Sequence, residues 1–595
     1  MKKIITTILI LLGFVSCDTD VLDREPLDII SDAVVWDDPV LVEAFIADVY
    51  KSLPYMHFGN TVFNANNLSN TFNIPMLETL TDQAAGARSN RQPALRKTGN
   101  TVVNGGLIEM WLYPQIRKMN DFYKNIADSQ IPADQKNTFI GCIKFVEAFT
   151  YFEMAKRYGA VPIITKFQSL TDPNDELFPS RNPEVEVYEY AIAKLNEILD
   201  GNLLGNTEKI GYPTRGATLA LKSRIALYAG SLAKFSTVQL DGLLGVPTNK
   251  ESFFWQTAFD AANEVINSGT YSLYEGFNNN LHERFKNLLL DKNSSERIFS
   301  KHYDGENIRH SYDACMVPSG FGASFLNAGV APYLDFVESF EKIDGSSSII
   351  PREWETNKTL VTTEELYGGY DPRMSAAILH EGSIFQGEEI QFYNGLRLSD
   401  GSIQIGNGSD PNSGKSYRGK SRKGAVDLYT GFSIRKNIDE SLENPQFGLS
   451  KTDKVIFRLA EMYLNRAEAA YYLNIGDKGL ADVNKIRNRA GMSAKTIIDE
   501  DAIRYERMAE FCFEDGMRYW DLIRWRTAVN AITKDFTAIN LIRDAETDKY
   551  LVEFTPLTGT AAPEEAVFRI EHYYKPITPG RIANNPNLAP ENPNY

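Results

Sequence analysis

Between Val455 and Trp525 the chain places small residues where two helices must cross, and this leaves few choices of fold. The stretch reads VIFRLAEMYLNRAEAAYYLNIGDKGLADVNKIRNRAGM and, after a short link, IRYERMAEFCFEDGMRYWDLIRW. Leu459, Tyr463 and Ala467 recur every four residues, while Ala460, Ala469 and Ala470 thin the surface. Gly476-Asp477 predicts the turn, with Asp477 as the N-cap of a second helix whose apolar face holds Ala481 and Ile486. Lys485, Arg487 and Arg489 then sit where cations suit a helix C-terminus, and Gly491 ends it. The spacing predicts helices over 454–474 and 477–490, paired in the tetratricopeptide manner.

Two further pairs follow from the same periodicity, 134–159 with 184–200 and 214–235 with 251–268. Val187, Ala191 and Leu195 mark the inner face of one second member, and Phe259, Ala262 and Ile266 that of the other. Helices near 39–53, 107–128 and 499–529 pack around them. The segments 54–106, 270–453 and 531–595 are rich in Gly, Asn, Ser and Pro and are expected to be irregular. The expected class is therefore mostly α, with tetratricopeptide-like helical pairs forming a scaffold that carries long irregular loops.

A chain of 595 residues, 43% hydrophobic and 11% aromatic, can bury a large core. Its net charge of −16 argues against nucleic acid, which requires a basic footprint. At the N-terminus Lys2 and Lys3 precede an apolar run from Ile4 to Val15, shorter than the roughly 20 residues a spanning helix needs. Residues 1–16 therefore form a secretory leader, and Phe14-Val15-Ser16-Cys17 looks like a lipobox in which Cys17 is lipidated. Of the four cysteines this leaves Cys142, Cys315 and Cys512, an odd number that suggests free thiols.

None of the six histidines has a zinc spacing, and no metal or cofactor is expected; His380-Glu381 lacks the second histidine of a metallohydrolase helix. Gly408 to Ser416 imitates a phosphate loop, but Ser409 stands where the first glycine belongs and no helix follows, so a surface loop is expected. Among 78 acidic residues nothing singles out a pair for glycoside hydrolysis. Glu388-Glu389 reads as a solvated strand edge. Glu461 and Glu468, beside Arg458 and Arg466, read as ion pairs on a helix surface. Arg518, Tyr519, Trp520, Asp521, Arg524 and Trp525 could form a stacking platform, yet Phe513, Met517 and Trp520 have the spacing of an inward stripe, which favours a structural role.

Aromatic residues in the irregular segments are better candidates for ligand contact, because a sugar's C–H face stacks on a ring while neighbouring polar groups bond its hydroxyls. Phe72 lies among asparagines, and Tyr303, Tyr312 and Phe321 lie close to Arg309 and Asp313.

The 455–525 block resembles the C-terminal region of the SusD/RagB family. The resemblance extends to Ala148-Phe149-Thr150-Tyr151-Phe152 with Arg157-Tyr158-Gly159, to Thr214-Arg215-Gly216-Ala217, and to the ending Asn592-Pro593-Asn594-Tyr595. It implies a SusD-like α/α superhelix in which 17–270 forms the N-terminal region with helical repeats. Residues 271–595 would then form the C-terminal region with a loop-rich insert and the final pair. It also implies a lipoprotein on the outer face of the outer membrane, capturing an oligosaccharide or a peptide for a SusC/RagA-type TonB-dependent transporter, and not an enzyme. The family's ligand contacts vary, so none is carried over by motif. The alternatives are a surface glycan-degrading enzyme and a protein-binding helical-repeat adaptor.

Overall fold

The computed structural model describes residues 32–51, 53, 77–86, 108–278, 280–322, 330–422, 430–514, 516–557 and 567–595. Helices α1 (Pro39–Tyr50) and α2 (Tyr113–Ile126) precede two antiparallel pairs, α3 (Ala133–Tyr158) with α4 (Glu184–Asp200) and α5 (Arg215–Phe235) with α6 (Glu251–Asn267). The short α7 (Leu281–Asn287), α8 (Thr363–Tyr367) and α9 (Pro372–Ala377) lie in the irregular segment. The third pair is α10 (Leu459–Tyr472) with α11 (Gly476–Arg489), and α12 (Glu500–Phe511), α13 (Met517–Arg524) and α14 (Ala528–Ile532) follow. All three expected pairs are present, and α10 stacks on α6 although the whole of 270–453 intervenes.

Close approach explains the small residues. A Cβ on Gly479 of α11 would lie 2.8 Å from the Ala467 carbonyl oxygen of α10, and one on Gly230 of α5 would lie 2.9 Å from the Trp255 ring of α6. Neither helix pair could close with a larger residue at these crossings. Ala467 itself is fully buried.

Several boundaries differ from the sequence expectation. Lys454–Arg458 is not the first turn of α10 but a strand, because Val455, Ile456 and Phe457 suit a pleated surface and find an antiparallel partner in Arg297–Lys301. Phe457 and Phe299 pack there against Phe149 and Phe145 of α3. The turn before α11 is made two residues earlier than expected, by Asn474 at φ +60°. Ile475 takes the N-cap position, so Asp477 contributes only its charge to the first turn. Gly491, at φ +75°, ends α11 as expected. The helix expected over 499–529 breaks into three, since Phe513 (φ +56°) and Gly516 (φ +66°) are left-handed before α13 and Arg526 (φ +55°) is left-handed after it. A Cβ at Gly516 would also meet the Leu77 side chain at 2.4 Å.

The region 531–595 is not uniformly irregular. Thr537–Asp544 and Tyr550–Pro556 form an antiparallel hairpin, and Leu396–Arg397 joins it in parallel with Ile403–Gln404 at the edge. Its turn lacks the Asn-Gly signature; the Asp544 carboxylate instead accepts the Glu546 and Thr547 N–H groups.

The largest correction concerns charge. Arg458, Glu461, Arg466 and Glu468 are all buried, so they are not surface pairs. Helix α10 lies among α5, α6, α11 and α12, and its charged residues reach across to those neighbours and to α13. Glu461 takes both guanidinium nitrogens of Arg224, Arg466 pairs with Asp482 at 2.7 Å, and Glu468 holds Arg524. Arg458 donates to Glu296 (2.7 Å), Glu510 (2.6 Å) and Glu514 (2.9 Å).

Ala467→Trp is expected to lower stability by more than the roughly 1–3 kcal/mol of ordinary overpacking. A thermal melt checks this, and an unchanged midpoint would mean that the crossing tolerates a large side chain.

Candidate functional site

The structure places the sequence candidates unequally. Phe72 and Cys17 lie outside the described residues. Tyr303 and Tyr312 are buried in the core. Tyr303 meets the His310 ring edge-on at 4.6 Å, and the Tyr312 hydroxyl donates to the Lys436 carbonyl at 2.9 Å. Phe321 is half-buried with its ring edge against Phe385. Their alternation with polar neighbours resembles a binding loop in sequence, but each ring fills space under that loop.

The aromatic-basic helix α13 is structural. Arg524 and the Trp525 indole N–H both donate to Glu468, Arg507 pairs with Asp521, and Trp520 lies 4.2 Å from the Lys156 ammonium. The 408–416 segment is a loop closed by a Ser409–Ser416 bridge, and Lys415 turns away to the Ala545 carbonyl and Asp548. Glu388-Glu389 is an exposed two-residue strand, as expected. Cys142, Cys315 and Cys512 are buried.

A cleft of about 620 Å³ lies between α7 and α9. Helix α7 contributes Asn280, Leu281 and His282. The Asn280 side chain caps this helix by accepting the Glu283 N–H at 3.0 Å, which fixes His282 in the first turn. Opposite stand Tyr367 at the end of α8, Tyr370 beyond a left-handed Gly369, and Met374 and Ser375 on α9. Ile343, 43% exposed, forms the rim.

Each wall is held from behind. Asp371 caps α9 through the Arg373 N–H (3.0 Å), pairs with the Arg373 guanidinium, and accepts the Tyr505 hydroxyl of α12 (2.9 Å). Arg373 continues to Glu506 and Glu510. On the other side Leu281 sits so close to Gly491 that a Cβ there would be 2.4 Å away, and Arg284 donates to the Arg489 carbonyl. The cleft thus stands on α12 and the end of α11.

Its chemistry is uncharged. Among the described residues no acidic or basic side chain lines it apart from His282, whose Nδ1 lies 3.1 Å from the Ser375 hydroxyl. Burial, with Arg435 nearby, pushes the His282 imidazole down to about 4, so it is neutral at pH 7. Tyr370 donates to the Ser348 carbonyl, whereas the buried Tyr367 hydroxyl has no hydrogen-bond partner among the described residues. With no carboxylate on its walls, the cleft does not build the paired acids of glycoside hydrolysis. Sequence reasoning missed it. Two signals could have located it: Thr362-Thr363-Glu364-Glu365, which forms a capping box, and Asp371-Pro372, which begins α9.

A second groove of about 250 Å³ runs beside α12 and α13 and has the opposite character. Asp82, Asp335, Arg504, Arg518, Lys534 and Trp525 line it. Its cations are paired, Arg518 with Asp82 at 2.6 Å, Lys534 with Asp335 at 3.7 Å and Arg504 with Glu500 at 2.7 Å.

Behind the first cleft, Tyr367 packs against His380 at 4.3 Å, and the next residue, Glu381, is fully buried. Its carboxyl accepts from the Phe392 and Tyr393 N–H groups and from the Tyr550 hydroxyl (2.9 Å). Burial outweighs these bonds and pushes Glu381 up to about 7. A poised acid in a cleft would suggest catalysis, but this one is sealed from solvent and ties 390–393 to the hairpin.

The model of the SusD family matches residues 295–595. No curated protein matches the chain. Among solved structures, a SusD-like protein from Bacteroides fragilis is 23% identical, with a TM-score of 0.72 over 96% of this chain and 100% of the other. A SusD-like carbohydrate binding protein from the same species is 19% identical, with a TM-score of 0.67 over 93% and 100%. Surface glycan-binding protein A from Bacteroides thetaiotaomicron is 16% identical, with a TM-score of 0.57 over 94% and 100%. These likenesses establish the fold, a mostly helical one.

The raised Glu381 acidity gives a signed expectation. The folded state favours the protonated acid, so this contribution is full below the ordinary carboxyl value of 4.5 and is lost as pH rises through about 7. Between pH 4.5 and 8 the stability of the native chain relative to Glu381→Gln should fall, by at most about 3 kcal/mol. Denaturant titrations across that range check it, and a difference independent of pH would contradict it.

Proposed function

Because this chain belongs to the SusD family, we propose that it captures a glycan at the cell surface and passes it to a SusC/RagA-type TonB-dependent transporter of the outer membrane. The observation that carries this reading is the uncharged cleft between α7 and α9, where tyrosines and hydrogen-bonding side chains stand on a rigid helical frame. Such a combination suits a polyhydroxylated ligand with apolar ring faces. Two structural relatives are named for carbohydrate or glycan binding, which supports the same class of ligand.

Attachment in this reading is through lipid on Cys17 after removal of residues 1–16. Among the described residues no helix is long and apolar enough to cross a membrane. Passage of the ligand across the membrane is therefore assigned to the partner, with the long irregular segments providing surface for both ligand and barrel. The reading includes no catalytic step.

The chain extracted in mild detergent is expected to co-purify with a much larger outer-membrane protein, and Cys17→Ala should release a folded chain from the membrane fraction. Isolation of the chain alone, with uptake unaffected by its deletion, would favour the adaptor; membrane retention of Cys17→Ala would refute the lipid anchor.

A further inference from the structure

We propose that the cleft between α7 and α9 selects an uncharged sugar unit and rejects uronic-acid or sulfated ones. This rests on the glycan-capture reading and narrows it to a ligand class. At about 620 Å³ the cleft is in the range of roughly 300–1,000 Å³ typical of ligand sites. It could take either kind of sugar by size, so charge decides between them.

Several of the charged groups near it are already committed. Arg435 pairs with Glu440 at 2.7 Å, Lys286 with Glu283 at 2.7 Å, and Arg373 with Asp371, Glu506 and Glu510. An incoming carboxylate or sulfate would lose water and meet no lysine or arginine among the described residues that line the cleft, which is strongly unfavourable. A neutral sugar needs only hydrogen bonds and an apolar surface. His282 offers the second ring nitrogen, which makes no hydrogen bond to the described residues, beside the Ser375 hydroxyl. Ile343 at the rim offers a face for C–H groups.

Tyr367 supplies an independent indication. It is 6% exposed and lines the cleft, yet its hydroxyl has no partner among the described residues. Leaving such a group buried and unpaired is unfavourable. A ligand hydroxyl that reached it would satisfy it. Were the residue only packing, Tyr367→Phe would leave binding unchanged.

The test is calorimetric titration of the full chain in mild detergent with neutral probes (maltohexaose, cellohexaose, xylohexaose and mannohexaose) and acidic ones (hexagalacturonate and a heparin hexasaccharide). The expected result is binding of at least one neutral probe, weakened tenfold or more in both His282→Leu and Tyr367→Phe, with the melting temperature of Tyr367→Phe equal to or above that of the native chain. Acidic probes should not bind, or should bind with an affinity that neither variant changes, as expected for the charged groove beside α12 and α13. Two results overturn the selectivity while leaving glycan capture standing: an acidic probe weakened by these variants, or a neutral probe indifferent to both. Failure of every probe to bind overturns the glycan reading and this inference together.

Discussion

A chain of buried arginines and carboxylates couples the helical frame to everything else. Glu510 of α12 receives Arg458 from the strand before α10, Arg489 from the end of α11 and Arg373 from α9. Glu296, ahead of the neighbouring strand, receives Arg458 and Arg489 as well. Burial alone would raise the Glu510 carboxyl, but Arg489, Arg458 and Arg373 together hold it well below the usual range. Buried pairs of this kind add little net stability over apolar packing, but losing one partner strands the rest, typically at about 3–5 kcal/mol. Their consequence here is that segments far apart in sequence can adopt one arrangement.

The cleft inherits its shape from that arrangement. Arg373 is simultaneously the partner of the α9 cap and a member of the network, so the wall carrying Met374 and Ser375 is positioned by α12. The opposite wall rests on Gly491, where the end of α11 admits Leu281 because there is no side chain in the way. An irregular segment with little regular structure of its own thereby presents a fixed surface, and binding can be specific without a large ordering penalty.

The frame was legible because its signals are local. Alanines at crossings and a four-residue apolar period place α3 to α6, α10 and α11 within a few residues, and Gly491 marks a true end. The breaks at Asn474 and Phe513 were hidden, since left-handed asparagine or phenylalanine depends on tertiary contacts as much as on sequence. Charges on α10 were misread because the pattern Arg458, Glu461, Arg466, Glu468 satisfies helical spacing on paper; only the presence of neighbours on every side shows that each side chain reaches across to another element. The site was the least legible. Tyr303 and Tyr312 look like loop aromatics, and their burial follows from long-range packing. Tyr367, Tyr370, His282 and Ser375 come together from segments that share no motif.

Hydrogen exchange of Glu510→Gln tests most directly whether the ion network joins frame and cleft. The substitution keeps the side-chain size and removes the charge that three arginines share. If the network couples these elements, exchange will accelerate together in α10, in the end of α11 and in 371–377, while α3 and α4 remain protected. Acceleration confined to α12, with 371–377 as slow as in the native chain, would show that the cleft is held by other means and would contradict the account.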